Sequence, residues 1–271
     1  MAALRLPPVQ KQPLIGVGCT VPYAQFEHYA PVIRQLGLRP EILLTSADVL
    51  GAKPEQIDSV AKACQEFGGA TCHAPFISLF WGDTDEAMKN STEEVLLRAA
   101  EVASQLGVFS AVIHPNWDPR QIPSHDEWLT SSVPGMVKVT DRFIELGVQP
   151  LIENVREYLP AQILRLLAEL PEETGVCIDP GHAGVISEVP VATWFDTIGD
   201  KLAEIHMHNN DGSSDQHRSL DEGIVWNPQE ILKELIKGGR RFHPVIEPKD
   251  QDTAQKSLKA LVEWQLFSPS N

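Results

Sequence analysis

The chain is short of positive charge: 22 Lys and Arg stand against 37 Asp and Glu in 271 residues, a formal net charge of −15. No run of five or six basic residues appears, so the clustered Lys and Arg that a broad footprint on nucleic acid requires are missing. A nucleic acid partner is thereby disfavoured, although a local basic patch remains compatible with an acidic whole. No apolar stretch reaches the roughly 18 residues of a membrane span. The opening MAALRLPPVQKQP is broken by Arg5 and two prolines, which argues against a secretory signal; residues 1–13 read as a loose tail. Cysteine is scarce as well. Cys19, Cys64, Cys72 and Cys177 form no CxxC pair, and Cys72 and Cys177 lie in strand-like runs. Buried free thiols and a reducing, cytoplasmic setting are expected. There is no internal repeat and no low-complexity linker, so residues 14–271 read as one domain.

Hydrophobic residues make up 42% of the chain and charged residues 22%, enough apolar material for a full core. Strand-like runs are expected at 13–18, 40–44, 70–75, 110–115, 148–153, 175–179, 202–208 and 243–247. Helical patterns separate them. PEQIDSVAKACQEFGG opens on Pro54 and closes on a glycine pair, the usual start and stop signals. STEEVLLRAAEVASQLG offers a Ser91–Glu94 capping box and a stop at Gly107. The helix near VATWFDTIG is the weakest of the series. Strands joined through helices should be parallel. Eight such units in about 250 residues fit a closed (βα)8 TIM barrel, α/β in class, with an open doubly wound sheet as the alternative.

Six of the runs end on a metal-ligand or acid–base residue: His73 in ATCHAP, His114 in SAVIHP, Glu153 in QPLIEN, Asp179 in GVCIDP, His208 in LAEIHMH and Glu247 in HPVIEP. His182, Asp215 and His217 lie just beyond the sixth and seventh strands. Residues i and i+2 of a strand share a face. Thr71 therefore sits beneath His73, Val112 beneath His114, Leu151 beneath Glu153, Cys177 beneath Asp179, Glu204 and His206 beneath His208, and Val245 beneath Glu247. A layered barrel interior with a polar top follows, and in such barrels the active site lies at the C-terminal ends of the strands. One isolated His at a strand end is more often a hydrogen-bonded core residue. Four carboxylates crowded into one mouth, however, would repel without counter-ions. Imidazole and carboxylate are the ligands that suit zinc, manganese, cobalt or magnesium.

The segments CHAPF, VIHPN, LIENV, CIDPGHA, HMHNND with DQHRSLDEG, and VIEP resemble the xylose isomerase-like TIM-barrel superfamily, which includes sugar isomerases, sugar epimerases and endonuclease IV. The resemblance runs from Ile15 to about residue 265. It implies one to three divalent ions. In the endonuclease IV pattern three zinc ions would be held by His73, His114, Glu153, Asp179, His182, His208, Asp215, His217 and Glu247. In the isomerase and epimerase branch one ion would be held by Glu153, Asp179, His208 and Glu247, with the two glutamates exchanging protons beside a carbonyl. The loops depart from the endonuclease pattern. LLTSADVLGAKPE carries a single Lys and no Arg, and NVREYLP replaces a glycine-rich run.

Charge separates the two branches. Three divalent ions against four ligand carboxylates leave a positive centre that suits an anionic ester and a bound nucleophilic water. One ion against three leaves a negative centre that suits a neutral polyhydroxy substrate. The expectation is a metal-dependent isomerase or epimerase acting on a small carbohydrate-like molecule. Glu153 and Glu247 would transfer protons while His182 and His73 hold hydroxyls. A zinc-dependent phosphodiester hydrolase is the alternative. His28 in a helix, His125 in a loop and His243 at the far end of the eighth strand are expected to be structural. His206 is open between support and direct participation. Glu41 and Glu204 read as interior filler, and Asp211 as a loop-shaping residue. Trp81, Trp117 and Trp226 read as pocket wall or as packing.

Overall fold

The computed structural model describes residues 16–268. The residues of the expected loose tail lie outside that range. In chain order the elements are β1 Gly18–Pro22, α1 Phe26–Gln35, β2 Arg39–Leu43, α2 Ser46–Gly51, α3 Pro54–Glu66, β3 Thr71–His73, α4 Glu86–Leu106, β4 Ser110–Ile113 and α5 His125–Glu145. There follow β5 Gln149–Glu153, α6 Pro160–Leu167, β6 Gly175–Ile178, α7 Pro180–Ile186, α8 Val191–Ile198, β7 Leu202–Met207, α9 Pro228–Lys237, β8 His243–Ile246 and α10 Gln251–Glu263. The strands pair in sequence order, all parallel, and β8 closes on β1 through Gly18↔Val245 and Cys19↔Ile246. This is a single closed (βα)8 barrel. Among the described residues no helix is long and apolar enough to cross a membrane.

Alternation along the strands divides the core in two. Ile42, Cys72, Ala111, Ile113, Ile152, Val176, Ile178, Ile205, Met207 and Ile246 face outward into the sheet–helix interface, each at most 1% exposed. Burial of such a side chain stabilises by roughly 1.5–3 kcal/mol, so this layer supplies much of the fold's driving force. Inside the barrel, Val112, Leu151 and Cys177 form a separate small apolar cluster with Ala203. The interior also holds Val245 of β8 and the buried polar side chains of Glu41, Thr71, Glu204 and His206. All four cysteines are buried and free, and burial pushes the thiols of Cys72 and Cys177 well up.

Three local expectations are corrected. The first strand runs from Gly18 to Pro22 rather than over 13–18, of which residues 13–15 lie outside the described range. Its ladder needs a residue without a side chain at its base, because a Cβ at Gly18 would press within 2.9 Å of Val245 Cγ2 and 3.0 Å of His243 Nε2. Helix α4 starts at Glu86 rather than Ser91, since the Asp85 carboxylate already accepts the Ala87 N–H at 2.8 Å. His125 is not in a loop but is the first residue of α5, capped by Ser124. Pro134 and Gly135 interrupt that helical pattern in sequence. In the fold Gly135 lets α4 approach, because a Cβ there would come within 2.9 Å of Glu93 Oε1.

His243 and His125 both lie away from the mouth ligands. Burial pushes each ring's pKa down from 6.5 to about 4, and His243 Nε2 is sealed without a partner. Each ring is neutral in the fold, whereas in the unfolded chain it takes a proton below about 6.5. The stability this contributes is complete above pH 6.5 and is lost as pH falls toward 4. His243→Gln is therefore expected to flatten the fall in urea midpoint between pH 6.5 and about 5 relative to the parent. Identical slopes would contradict this assignment.

Candidate metal centre

Eight of the nine candidate residues are carried to the mouth by the end of a strand or the loop that follows it, and His182 by the first turn of α7. His73 and Glu153 are the last residues of β3 and β5; His114, Asp179, His208 and Glu247 stand one residue past β4, β6, β7 and β8. Glu153 and Asp179 are fully buried, His73 and His208 are 1% exposed, and Asp215 at 41% marks the outer edge. Among the groups whose ligand atoms lie within 4.8 Å of one another, three together contain all nine residues. One contains His73, His114 and Glu153; a second contains His182, His208, Asp215 and His217; a third contains Glu153, Asp179, His206 and Glu247. The structure therefore brings all nine sequence-expected residues into one cavity mouth. In the third group His206 stands where the sequence pattern had placed His208, while His208 Nε2 lies 2.8 Å from Asp179 Oδ2.

The imidazole rings are oriented from behind. His73 Nδ1 donates to the Ala74 carbonyl at 2.8 Å, His182 Nδ1 to the Asn154 carbonyl at 3.0 Å, and His217 Nδ1 to the Glu247 carbonyl at 3.0 Å. A neutral imidazole that donates through Nδ1 keeps a lone pair on Nε2. Those lone pairs point at carboxylates: His73 at Glu153 Oε2, 3.2 Å away, and His182 and His217 at Asp215 Oδ2, 3.3 and 3.0 Å away. Acceptor faces acceptor, which repels unless a proton or a cation lies between them. In addition, Glu153 Oε1, Glu247 Oε2 and His208 Nδ1 are buried without a hydrogen-bond partner. The donor set of imidazole nitrogen and carboxylate oxygen fits a divalent ion such as zinc or manganese.

With protons alone to balance it, the cluster is strongly perturbed. Burial by itself would raise the Glu153 carboxyl, yet His206, His114 and His182 around it hold it well below the ordinary carboxylate range. Burial keeps His114 low, against the pull of Glu153. Burial opposes charge on His217 too, but Asp215 and Glu247 raise it from 6.5 to about 9.

Several supporting residues carry no signal in a strand-end search. Asn154 links two strand ends: its Nδ2 donates to the Asp179 carbonyl and its Oδ1 accepts the Asp179 N–H, both at 2.8 Å. Asp179 also caps α7 by accepting the His182 N–H at 2.7 Å, which explains the spacing in Asp-Pro-Gly-His. Gly181 is the third residue of that run, and a Cβ there would overlap the His208 ring. Asn210 accepts the N–H groups of Gln216 and His217 at 2.6 and 3.1 Å and donates to the Gly181 carbonyl at 3.0 Å, tying the His217 loop to α7. Asp211 accepts from Ser213 and Arg218 and so shapes its loop. The tryptophans are buried pins. Trp81 and Trp226 donate to the carbonyls of His114 and His208 at 3.1 and 2.7 Å, and Trp117 donates to the Ile122 carbonyl. Arginines of the mouth loops are engaged by acids: Arg120 and Arg156 on Asp118, and Arg218 on Asp211.

A family model described as xylose isomerase-like TIM barrel matches residues 39–265. Among curated relatives, the protein MJ1311 of Methanocaldococcus jannaschii is 25% identical over 201 residues, covering 71% of this chain and 68% of the relative. Fructoselysine 3-epimerase of Shigella flexneri is 22% identical over 173 residues, covering 60% of each. The chain thus spans about two thirds or less of the length of these relatives. A solved structure described as a D-tagatose 3-epimerase-like protein superposes with a TM-score of 0.81 at 21% identity, covering 92% of this chain and 97% of the other. Endonuclease IV of Thermus thermophilus superposes with a TM-score of 0.69 at 18% identity, covering 92% and 98%. At these identities the superpositions bear on the fold alone.

Removing either support should loosen the mouth while sparing the barrel. Asn154→Ala deletes two buried hydrogen bonds and is expected to cost about 2 kcal/mol in urea unfolding. Gly181→Ala adds one methyl group and forces the His208 ring aside, lowering the melting temperature and the affinity for added Mn2+ together. Parent-like unfolding and parent-like Mn2+ binding in both variants would show that these contacts do not hold the site.

Proposed function

The chain belongs to the xylose isomerase-like TIM-barrel family, and from that premise we propose that it is a divalent-metal-dependent epimerase or isomerase of a sugar or polyol-like substrate. The observation that carries this reading is the placement of two carboxylates, Glu153 and Glu247, against the same Nδ1 nitrogen of one buried imidazole at the base of the mouth. His206 Nδ1 lies 3.3 Å from Glu153 Oε1 and 3.5 Å from Glu247 Oε2. The fructoselysine 3-epimerase relative supports it.

The residues that would hold the ion are Glu153, Asp179, His208 and Glu247, with His206 at their base. When bound, a divalent cation supplies an electrophile that polarises a substrate carbonyl and acidifies the adjacent C–H. The chain's own part is proton traffic and orientation. One glutamate takes the proton from the carbon beside the carbonyl on one face, and the other returns a proton on the opposite face, inverting that carbon. The sealing of Glu153 keeps water from competing for the proton, whereas Glu247, at 15% exposure, faces the entry side. His182 and His73 would hold substrate hydroxyls, and Phe76, whose ring stacks on His114 at 4.4 Å between centroids, would offer an apolar wall.

A second reading rests on a separate observation. All nine residues of the endonuclease IV-type series gather into adjoining groups at the mouth, a donor set sufficient for three ions. That reading is a zinc-dependent hydrolase of a small phosphodiester. The acid-engaged arginines of the rim weigh against an extended nucleic acid as its substrate.

The two readings separate in one assay series. Protein loaded with Mn2+, Co2+ or Zn2+ is incubated in D2O with a panel of ketoses and sugar acids, and proton NMR reads deuterium entry beside the carbonyl. Exchange is expected for at least one member, with Glu153→Gln and Glu247→Gln each about 100-fold slower or worse. No exchange across the panel, together with metal-dependent hydrolysis of bis(p-nitrophenyl) phosphate, would replace the first reading with the second.

A further inference from the structure

Beneath the mouth the barrel interior departs from its usual filling. Barrels of this kind pack their inner layers mainly with branched apolar side chains. Here the layer under the ligands contains Glu41 from β2 and Glu204 and His206 from β7, all at 0% exposure. Isolated ionisable groups in such a place cost several kcal/mol each unless they are paired. These three form one connected set. His206 Nε2 lies 3.4 Å from Glu41 Oε1 and 3.4 Å from Glu204 Oε1. The same ring turns its Nδ1 upward to Glu153 and Glu247, at 3.3 and 3.5 Å. Glu41 is itself tied down on both sides: Thr20 Oγ1 of β1 donates to Oε1 at 3.0 Å, and Thr71 Oγ1 of β3 donates to Oε2 at 3.2 Å.

The set therefore bridges the barrel from β1–β3 to β7, and its upper end touches the two glutamates on which the proposed chemistry depends. Interior filler would satisfy its polar atoms within its own layer. Instead both Glu204 oxygens and both His206 nitrogens are buried without a hydrogen bond of good geometry, so the ring stands at ion-pair distance from four carboxylates. A residue held in that manner fixes its neighbours by charge and contact rather than by a single short bond.

Resting on the metal-centre reading above, we infer that Glu41, His206 and Glu204 form a buried strut that positions Glu153 and Glu247 for the ion and for proton transfer. His206 and Glu41 are positioning residues. Neither reaches substrate. His206 acts through the two glutamates, and Glu41 acts through His206. The mutual avoidance of the two floor carboxylates is consistent with this. Burial and the nearby Glu41 push the Glu204 carboxyl well up, whereas on Glu41 burial opposes charge but the adjacent His206 holds the carboxyl down.

The test uses the full chain stripped with chelator, with Mn2+ alone as the probe. Binding of Mn2+, the visible spectrum of the Co2+-loaded protein, and urea unfolding of the metal-free protein are compared for parent, His206→Gln and Glu41→Gln. Loss of a group supporting metal ligands typically costs about 10–100-fold in affinity. His206→Gln is expected to weaken Mn2+ by that factor and to shift the Co2+ spectrum. Glu41→Gln, which touches no ligand, should do the same to a smaller extent. Thr71→Val removes one hydroxyl at nearly constant volume and serves if the other variants unfold, with a several-fold loss expected. Variants that bind Mn2+ as the parent does, with an unshifted Co2+ spectrum, overturn the strut and leave the metal centre standing. A parent chain that takes up no Mn2+, Co2+ or Zn2+ overturns the metal-centre reading itself, and the strut with it.

Discussion

Imidazole lone pairs aimed at carboxylate oxygens are the interaction on which the mouth of this barrel depends. Backbone carbonyls take the Nδ1 protons of His73, His182 and His217, and this leaves each Nε2 facing an acid. Glu153, with no exposure, stands within 3.3 Å of nitrogens from His73, His114, His182 and His206. Such a constellation is satisfied by cations or by protons and by little else in a sealed environment. The strand ends, the Asn154 bridge and the Asn210 knot then read as devices that hold acceptors together against their repulsion.

The barrel supplies the means. Closed parallel pairing gives each strand an inward face on alternate residues and delivers six strand ends to one rim. The outward faces carry the apolar burial that stabilises the fold, so the inward faces are free to carry polar groups at a cost the helix–sheet interface offsets. Where the interior is apolar, at Val112, Leu151 and Cys177, it lies beneath His114, Glu153 and Asp179. Next to Cys177, Glu204 and His206 of β7 occupy the corresponding depth, with Glu41 of β2 against His206.

Much of this was legible in the sequence, because strand ends announce themselves. A β-branched run closing on His or Glu is a local pattern, and the alternation rule converts it directly into an inward-facing residue. Helix starts were harder. Asp85 outcompetes Ser91 as a cap because it lies in an extended segment ahead of the helix, which the residue string does not reveal. Helix α5 is masked by Pro134 and Gly135, and Gly135 leaves room for Glu93 of α4. The roles of Gly181 and Asn154 were equally out of reach, since each depends on a partner 25 or more residues away, His208 and Asp179. His206 was visible as a residue on the right face, but its position amid four carboxylates follows from strands β2, β5, β7 and β8 converging.

The most direct test of the central claim is the metal content of the chain. Protein purified without chelator or added metal is assayed by elemental analysis, and its melting temperature is taken before and after dialysis against EDTA. A metal centre at the mouth predicts at least one divalent ion per chain, release by EDTA, a lower melting temperature on release, and recovery of both when Zn2+ or Mn2+ is restored. A chain that carries no metal, takes none up, and melts identically with and without EDTA would contradict it.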